Sequence, residues 1–149
     1  MEESKVMRVG GLTFVPDEER FQIALSGQTE VLLGLQDDGT EVAIKKMLKS
    51  NFKKLKQELE VLRKHRFNSL HVVQYLHFTS DSHCGYIAMQ LCEFNLEEYI
   101  KQRQPADSER KIIAREFLEG LKDLHEKSMI HRDIKPCNVF IGKLLFLSD

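Results

Sequence analysis

The sequence predicts an α+β fold, with an antiparallel sheet and one helix first and a mainly helical part after it. Two observations predict this. Short alternating or apolar runs bounded by turn residues fill the chain up to Leu91, interrupted by a single helical stripe. Two helical patterns then precede a small terminal hairpin, so strands and helices do not alternate as they would in a repeating βαβ unit.

Taken in order, residues 1–20 form a lead-in broken by Gly10-Gly11 and the turn-like Pro16-Asp17-Glu18-Glu19, with one short strand at Leu12 to Val15. Phe21 to Ala24 and Glu30 to Leu35 read as strands. Asp37-Asp38-Gly39-Thr40 is a hairpin turn, because Gly39 supplies the positive φ that such turns need. Glu41 to Lys45 is the returning strand. A helix over residues 51–65 carries Phe52, Leu55, Leu59 and Leu62 on one stripe. Strands at His71 to Phe78 and Tyr86 to Leu91 follow, joined by a polar loop. Asn95 caps a short helix that ends before Pro105, and Ser108 opens a longer one with Ile113, Phe117, Leu121 and Leu124 at helical spacing. Val139 to Ile141 and Leu144 to Leu147 form the last hairpin.

Composition bounds the function. The 149 residues, 42% hydrophobic and 30% charged, describe a globular domain or a piece of a larger one. Lys+Arg 22 against Asp+Glu 23 leaves a formal net charge of −1, which offers no general attraction to nucleic acid or to a membrane surface. The basic run Lys53, Lys54, Lys56, Arg63 and Lys64 is interleaved with Glu58 and Glu60 and reads as a solvated helix face. Cys84, Cys92 and Cys137 are scattered, with no Cys-x-x-Cys spacing. This argues against a disulfide framework or structural zinc and for a reducing, cytoplasmic setting. No signal-peptide pattern opens the chain, and its apolar runs are too short to span a bilayer.

The chemistry concentrates in His131-Arg132-Asp133-Ile134-Lys135-Pro136-Cys137-Asn138. This run resembles the catalytic loop of the eukaryotic protein kinases. Upstream, Val42-Ala43-Ile44-Lys45 resembles the kinase strand whose Lys holds the α- and β-phosphates of ATP, although alone it is an ordinary strand ending in Lys. The resemblance implies an N-lobe at residues 21–92 with the hinge at its end, and the first part of a helical C-lobe at residues 93–149. It also implies ATP and Mg2+ as cofactors and a protein Ser or Thr hydroxyl as acceptor. Asp133 would orient or accept the hydroxyl proton, Lys135 would reach the transferred phosphate, and Asn138 would hold magnesium. Lys135, two residues after the Asp, is the feature of the Ser/Thr subgroup.

Lys45 needs a helix carboxylate as partner, and Glu58 and Glu60 both offer one. At about 100° per residue, Glu58 lies about 40° from the apolar Leu62 and Glu60 about 160° away, which favours Glu58. By the family's register Met89 is the gatekeeper, and the Gln90 carbonyl and Cys92 backbone bind the adenine edge. Val31 and Ala43 then cover the base and Phe140 lies beneath it. The glycine-rich loop would fall on Ala24, Ser26 and Thr29, with Gly27 nearby, so the loop is eroded and should hold phosphates less well. Asp149, eleven positions after Asn138, stands where the second metal-binding Asp is due, so the remainder of the C-lobe would lie beyond it.

The hinge Leu91-Cys92-Glu93 with Leu96 and Tyr99 carries a finer resemblance, to the inositol-requiring-enzyme and ribonuclease L group. That resemblance implies a link to the unfolded protein response and a homodimer formed through the kinase domain. Its alternative to catalysis is a nucleotide-binding pseudokinase scaffold that controls an attached endoribonuclease. A truncated isoform without function of its own is a further alternative.

Overall fold

The computed structural model describes residues 5–16, 19–26, 29–51, 53, 56–57, 59–60, 71–128, 134–141 and 145–147, with the side chains of 24, 26 and 145–147 excluded. The chain divides into two compact units, Met1–Lys64 with Gln74–Leu91 and His65–Val73 with Cys92–Asp149.

The first unit is built on a seven-stranded antiparallel sheet. Its strands are β1 (Met7–Val9), β2 (Leu12–Phe14), β3 (Gln22–Ser26), β4 (Thr29–Gln36), β5 (Glu41–Leu48), β6 (Tyr75–Ser80) and β7 (Cys84–Gln90). They run in the order β1-β2-β4-β5-β7-β6, with β3 also paired to β4. The expected turn between β4 and β5 forms: Gly39 has φ +84°, and the Gln36 and Thr40 backbones close it with a 2.9 Å hydrogen bond.

Residues 7–14 are not a loose lead-in. Met7 to Phe14 make a hairpin, with Met7 opposite Phe14 and Val9 opposite Leu12, and Phe14 pairs onward with Gly34 of β4. Leu12 and Phe14 are 0% and 2% exposed, in a cluster with Leu32, Val42, Ile44, Cys84, Tyr86 and Ala88. Each such side chain contributes about 1.5–3 kcal/mol by leaving water, enough to hold a three-residue strand that local propensity would not. The hairpin turn reaches the far strand of the sheet, where His77 Nε2 donates to the Gly10 carbonyl at 2.6 Å. Gly10 has φ +50°, and a Cβ there would lie 1.9 Å from Thr79 Oγ1, so the close approach requires glycine. The two ends of the sheet thus meet, and the cluster fills the inside of the curl.

Residues 49–51, 53, 56–57 and 59–60 are helical, and Leu59 among them reaches the opposite face of β5 and β7. Leu59, 7% exposed, packs with Met47 and Ile87 there. Phe52, Leu55 and Leu62 of the expected stripe lie outside the described residues.

In the second unit, α1 (Leu96–Arg103) is capped as expected, with Asn95 Oδ1 accepting from the Glu98 N–H at 2.8 Å. It ends at Gln104 in the left-handed region, whose N–H donates to the Ile100 carbonyl. The Tyr99 hydroxyl donates to Glu109 of α2 (Asp107–Glu126), tying the two helices together. Leu124 of α2 packs with Val72 and Val139, with Ile113, Phe117 and Leu121 beside them. A three-stranded sheet completes the unit: β8 (Phe94–Asn95), β9 (Val139–Ile141) and β10 (Leu145–Leu147), in the order β10-β9-β8.

Two substitutions test this packing. A Cβ on Gly34 would lie 2.2 Å from Ile44 Cδ1 and 3.0 Å from the Thr13 carbonyl. Gly34→Ala is therefore expected to lower stability by about 1–3 kcal/mol in urea unfolding. In the β6–β7 turn, Asp81 accepts from Tyr86 Oη at 2.6 Å and from the His83 and Cys84 N–H groups at 2.8 Å. The Tyr86 hydroxyl, then the two backbone donors, hold its carboxyl down at about 2. A depressed carboxylate stabilises the fold above its unfolded value of 3.8 and loses that contribution as pH falls through about 2. Unfolding midpoints compared between pH 5 and pH 2 should fall less steeply in Asp81→Asn than in the unaltered chain.

Candidate functional site

Strand register decides which side chains share a surface, because successive residues of a strand point to opposite faces. Val31 of β4 stands opposite Lys45 of β5, and Ala43 of β5 opposite Met89 of β7. These four residues therefore occupy one face, the reverse of the face that carries Val42 and Ile44. Ala43 is 8% exposed, while Val31, Lys45 and Met89 are half-buried. Small Ala43 lies between larger neighbours on this face, with Lys45 two positions on along the same strand. Such a surface fits a flat heterocycle joined to an anion.

Tyr75 of β6 stands opposite Met89 and packs beside it. Sequence reasoning missed Tyr75 as a neighbour of the site. The signal in the sequence was an aromatic residue within the strand read from His71 to Phe78, which does not specify its partner. On β3, Ala24 is opposite Val31 and Ser26 opposite Thr29. Gly27 lies outside the described residues.

Gln90 falls on the other face, opposite Val42, so only its backbone can serve a ligand on the Met89 side. Its N–H donates to the Gln74 carbonyl at 3.1 Å. Leu91 is the last residue of the first unit, and Cys92 opens the longer segment of the second. Burial pushes the Cys92 thiol up to about 11, so at neutral pH it is an uncharged SH and its backbone is the part suited to hydrogen bonding.

In the second unit a one-turn 3-10 helix, Pro136–Asn138, follows extended Lys135 (φ −155°, ψ 157°). Pro136 at its first position presets φ for the turn. The Asn138 N–H donates to the Lys135 carbonyl at 2.9 Å, which folds Asn138 back towards Lys135. Val139, 2% exposed against Leu124, anchors the end of this turn in the core of the unit. Phe140 of β9 stands opposite Asn95 and Phe146 and is half-buried. The turn brings Lys135, a cation, and Asn138, whose amide oxygen is a hard donor suited to magnesium, close together in the chain fold. Asp133, Glu58 and Asp149 lie outside the described residues. Among the described residues no group of three or more His, Cys, Asp and Glu side chains could hold a metal ion, and no helix is long and apolar enough to cross a membrane.

Comparison with known proteins identifies the family. Residues 26–147 match the model of the protein kinase domain. The serine/threonine-protein kinase/endoribonuclease ire-1 of Caenorhabditis elegans is 34% identical over 107 residues, 70% of this chain and 11% of that protein. The human serine/threonine-protein kinase/endoribonuclease IRE2 is 29% identical over 94% of this chain and 15% of its own length. The serine/threonine-protein kinase polo of Drosophila melanogaster is 31% identical over 72% of this chain and 19% of its own length. The chain thus spans only a minor part of the curated relatives it matches. The match over residues 26–147 nonetheless covers most of its own length, and the chain belongs to the protein kinase family.

Proposed function

We propose that this chain contributes the nucleotide-binding and catalytic-loop portion of a Ser/Thr protein kinase that transfers the γ-phosphate of ATP to a protein hydroxyl. The observation that carries the proposal is the common face of Val31, Ala43, Lys45 and Met89, set by the register of β4, β5 and β7. On this reading Val31 and Ala43 cover the adenine, with Met89 limiting the depth of its pocket and Phe140 beneath the base. The Gln90 carbonyl accepts from the adenine edge and the Cys92 N–H donates to it. Lys45, oriented by Glu58, pairs with the α- and β-phosphates. Asp133 takes the proton of the acceptor hydroxyl as its oxygen bonds to the γ-phosphorus and the bond to the bridging oxygen breaks, releasing ADP. Lys135 steadies the transferred group. Asn138 and Asp149 would hold magnesium, which when bound would offset charge on the phosphates. The three free thiols support a reducing, cytoplasmic setting.

A second reading is favoured by Ala24 and Ser26 at loop positions that glycine would hold, and by the likeness to two kinase/endoribonucleases. In it the domain binds nucleotide, forms a homodimer and controls an attached effector such as an endoribonuclease, without transferring phosphate.

Transfer of labelled phosphate by the complete gene product separates the two. For the kinase, Asp133→Asn should cut transfer about 100-fold or more, with thermal stabilisation by ATP retained. Lys45→Ala should remove that stabilisation, which for a nucleotide at 100 times its Kd amounts to about 2.7 kcal/mol. Stabilisation by ATP in a well-folded complete protein with no transfer at all would refute the kinase reading and select the scaffold.

A further inference from the structure

We infer that the β1–β2 hairpin, which precedes the residues matched by the kinase family model, positions the nucleotide face, with Leu12 and Phe14 as positioning residues. The inference rests on the nucleotide reading of that face. Its basis is the way the two faces of the sheet share one backbone. Each residue of the proposed binding face is covalently next to a residue that packs in the hairpin's cluster. Val31 precedes Leu32, Ala43 lies between Val42 and Ile44, Lys45 follows Ile44, and Met89 follows Ala88.

The hairpin is fitted closely to these strands. The Phe14 and Tyr86 rings lie 5.2 Å apart between centroids, which ties β2 to β7 across the inside of the curl. Phe14 pairs with Gly34, where the absence of a side chain leaves room for Ile44 Cδ1 and the Thr13 carbonyl. At the other end, the Gly10 turn is held to β6 by His77 and packs against Thr79. The strand that faces Met89, β6, is therefore fixed by the same hairpin. Removing bulk from Leu12 or Phe14 leaves a void that β4, β5 and β7 can reduce only by moving inward, and the outward side chains move with them. Lys45 and Ala43 would shift relative to Val31 and Met89, although none of the four touches the hairpin's side of the sheet.

The test is calorimetric titration of ADP into the complete protein, at a temperature where circular dichroism shows every variant folded. Phe14→Ala should raise the Kd for ADP about five- to tenfold, and Phe14→Leu, which retains most of the volume, by about twofold or less. Leu12→Val should shift it in the same direction and keeps the test decisive if Phe14→Ala does not fold. Glu109→Ala, which removes the Tyr99 tie between α1 and α2 in the second unit, should leave the Kd within about twofold. An unchanged Kd in Phe14→Ala or Leu12→Val, with binding abolished in Lys45→Ala, overturns the inference and leaves the nucleotide reading intact. Equal weakening by Glu109→Ala also overturns it, since that would mark general destabilisation. Absence of ADP binding by the unaltered protein defeats the nucleotide reading, and the inference with it.

Discussion

The pleat of β5 governs the first unit. Successive residues of a strand point to opposite sides, so Val42 and Ile44 must enter the curl while Ala43 and Lys45 face away from it. The pairing of β5 with β4 on one side and β7 on the other carries this alternation across three strands. A slip of one residue would drive the Lys45 ammonium into a cluster whose members are at most 9% exposed. The cost of an unpaired charge there far exceeds any local preference of the strand, so one register alone is admissible. The side-chain arrangement on the outer face follows from the inner face being apolar.

The second unit solves a different problem. A loop bearing polar groups is held in a defined shape while those groups remain accessible. Pro136 presets the backbone and Val139 anchors the exit of the turn beside Leu124. Lys135 is exposed, and Asn138 is turned back by its own N–H bond to Lys135. Apolar burial at one residue thus fixes the geometry of polar residues one and four positions earlier. Polar contacts alone would hold such a loop only weakly, because each contributes about 1 kcal/mol net.

Much of this was legible in the sequence because it rests on local chemistry. The turn at Gly39, the cap at Asn95 and the apolar spacing of α2 each depend on residues within a few positions of one another. The β1–β2 hairpin was legible only as the short strand at Leu12 to Val15, without β1 or the pairing between them. Two apolar residues in each three-residue strand give almost no periodicity, and Gly10-Gly11, which reads as an interruption, is the turn itself. What stabilises the hairpin is distant in sequence: Gly34, Ile44, His77, Thr79 and Tyr86. Val72 met the same difficulty. It sits in an apolar run that reads as one strand from His71, yet it belongs to the core around Leu124, and the strand begins at Tyr75. For the candidate site, the alternation within each strand can be read directly. That β4, β5 and β7 are neighbours, and that Tyr75 is set against Met89, depends on pairings between residues far apart in the chain.

The two functional readings differ in which unit they require. As proposed, holding a nucleotide would draw mainly on the outer face of the sheet and on the backbone leading out of β7, residues of the first unit apart from Cys92 and Phe140. Moving a phosphoryl group would draw on Asp133, Lys135 and Asn138, which belong to the second. Catalysis of this kind depends on positioning more than on intrinsic reactivity, so erosion of either unit weakens transfer. Binding tolerates loss of the second set far better, since base stacking and the Lys45 charge do not involve it. Substitution of loop glycines would weaken hold on the phosphates, a loss that transfer would tolerate less well than binding. On the proposed readings the discriminating chemistry would lie around Asp133, because only phosphate transfer would need its carboxylate.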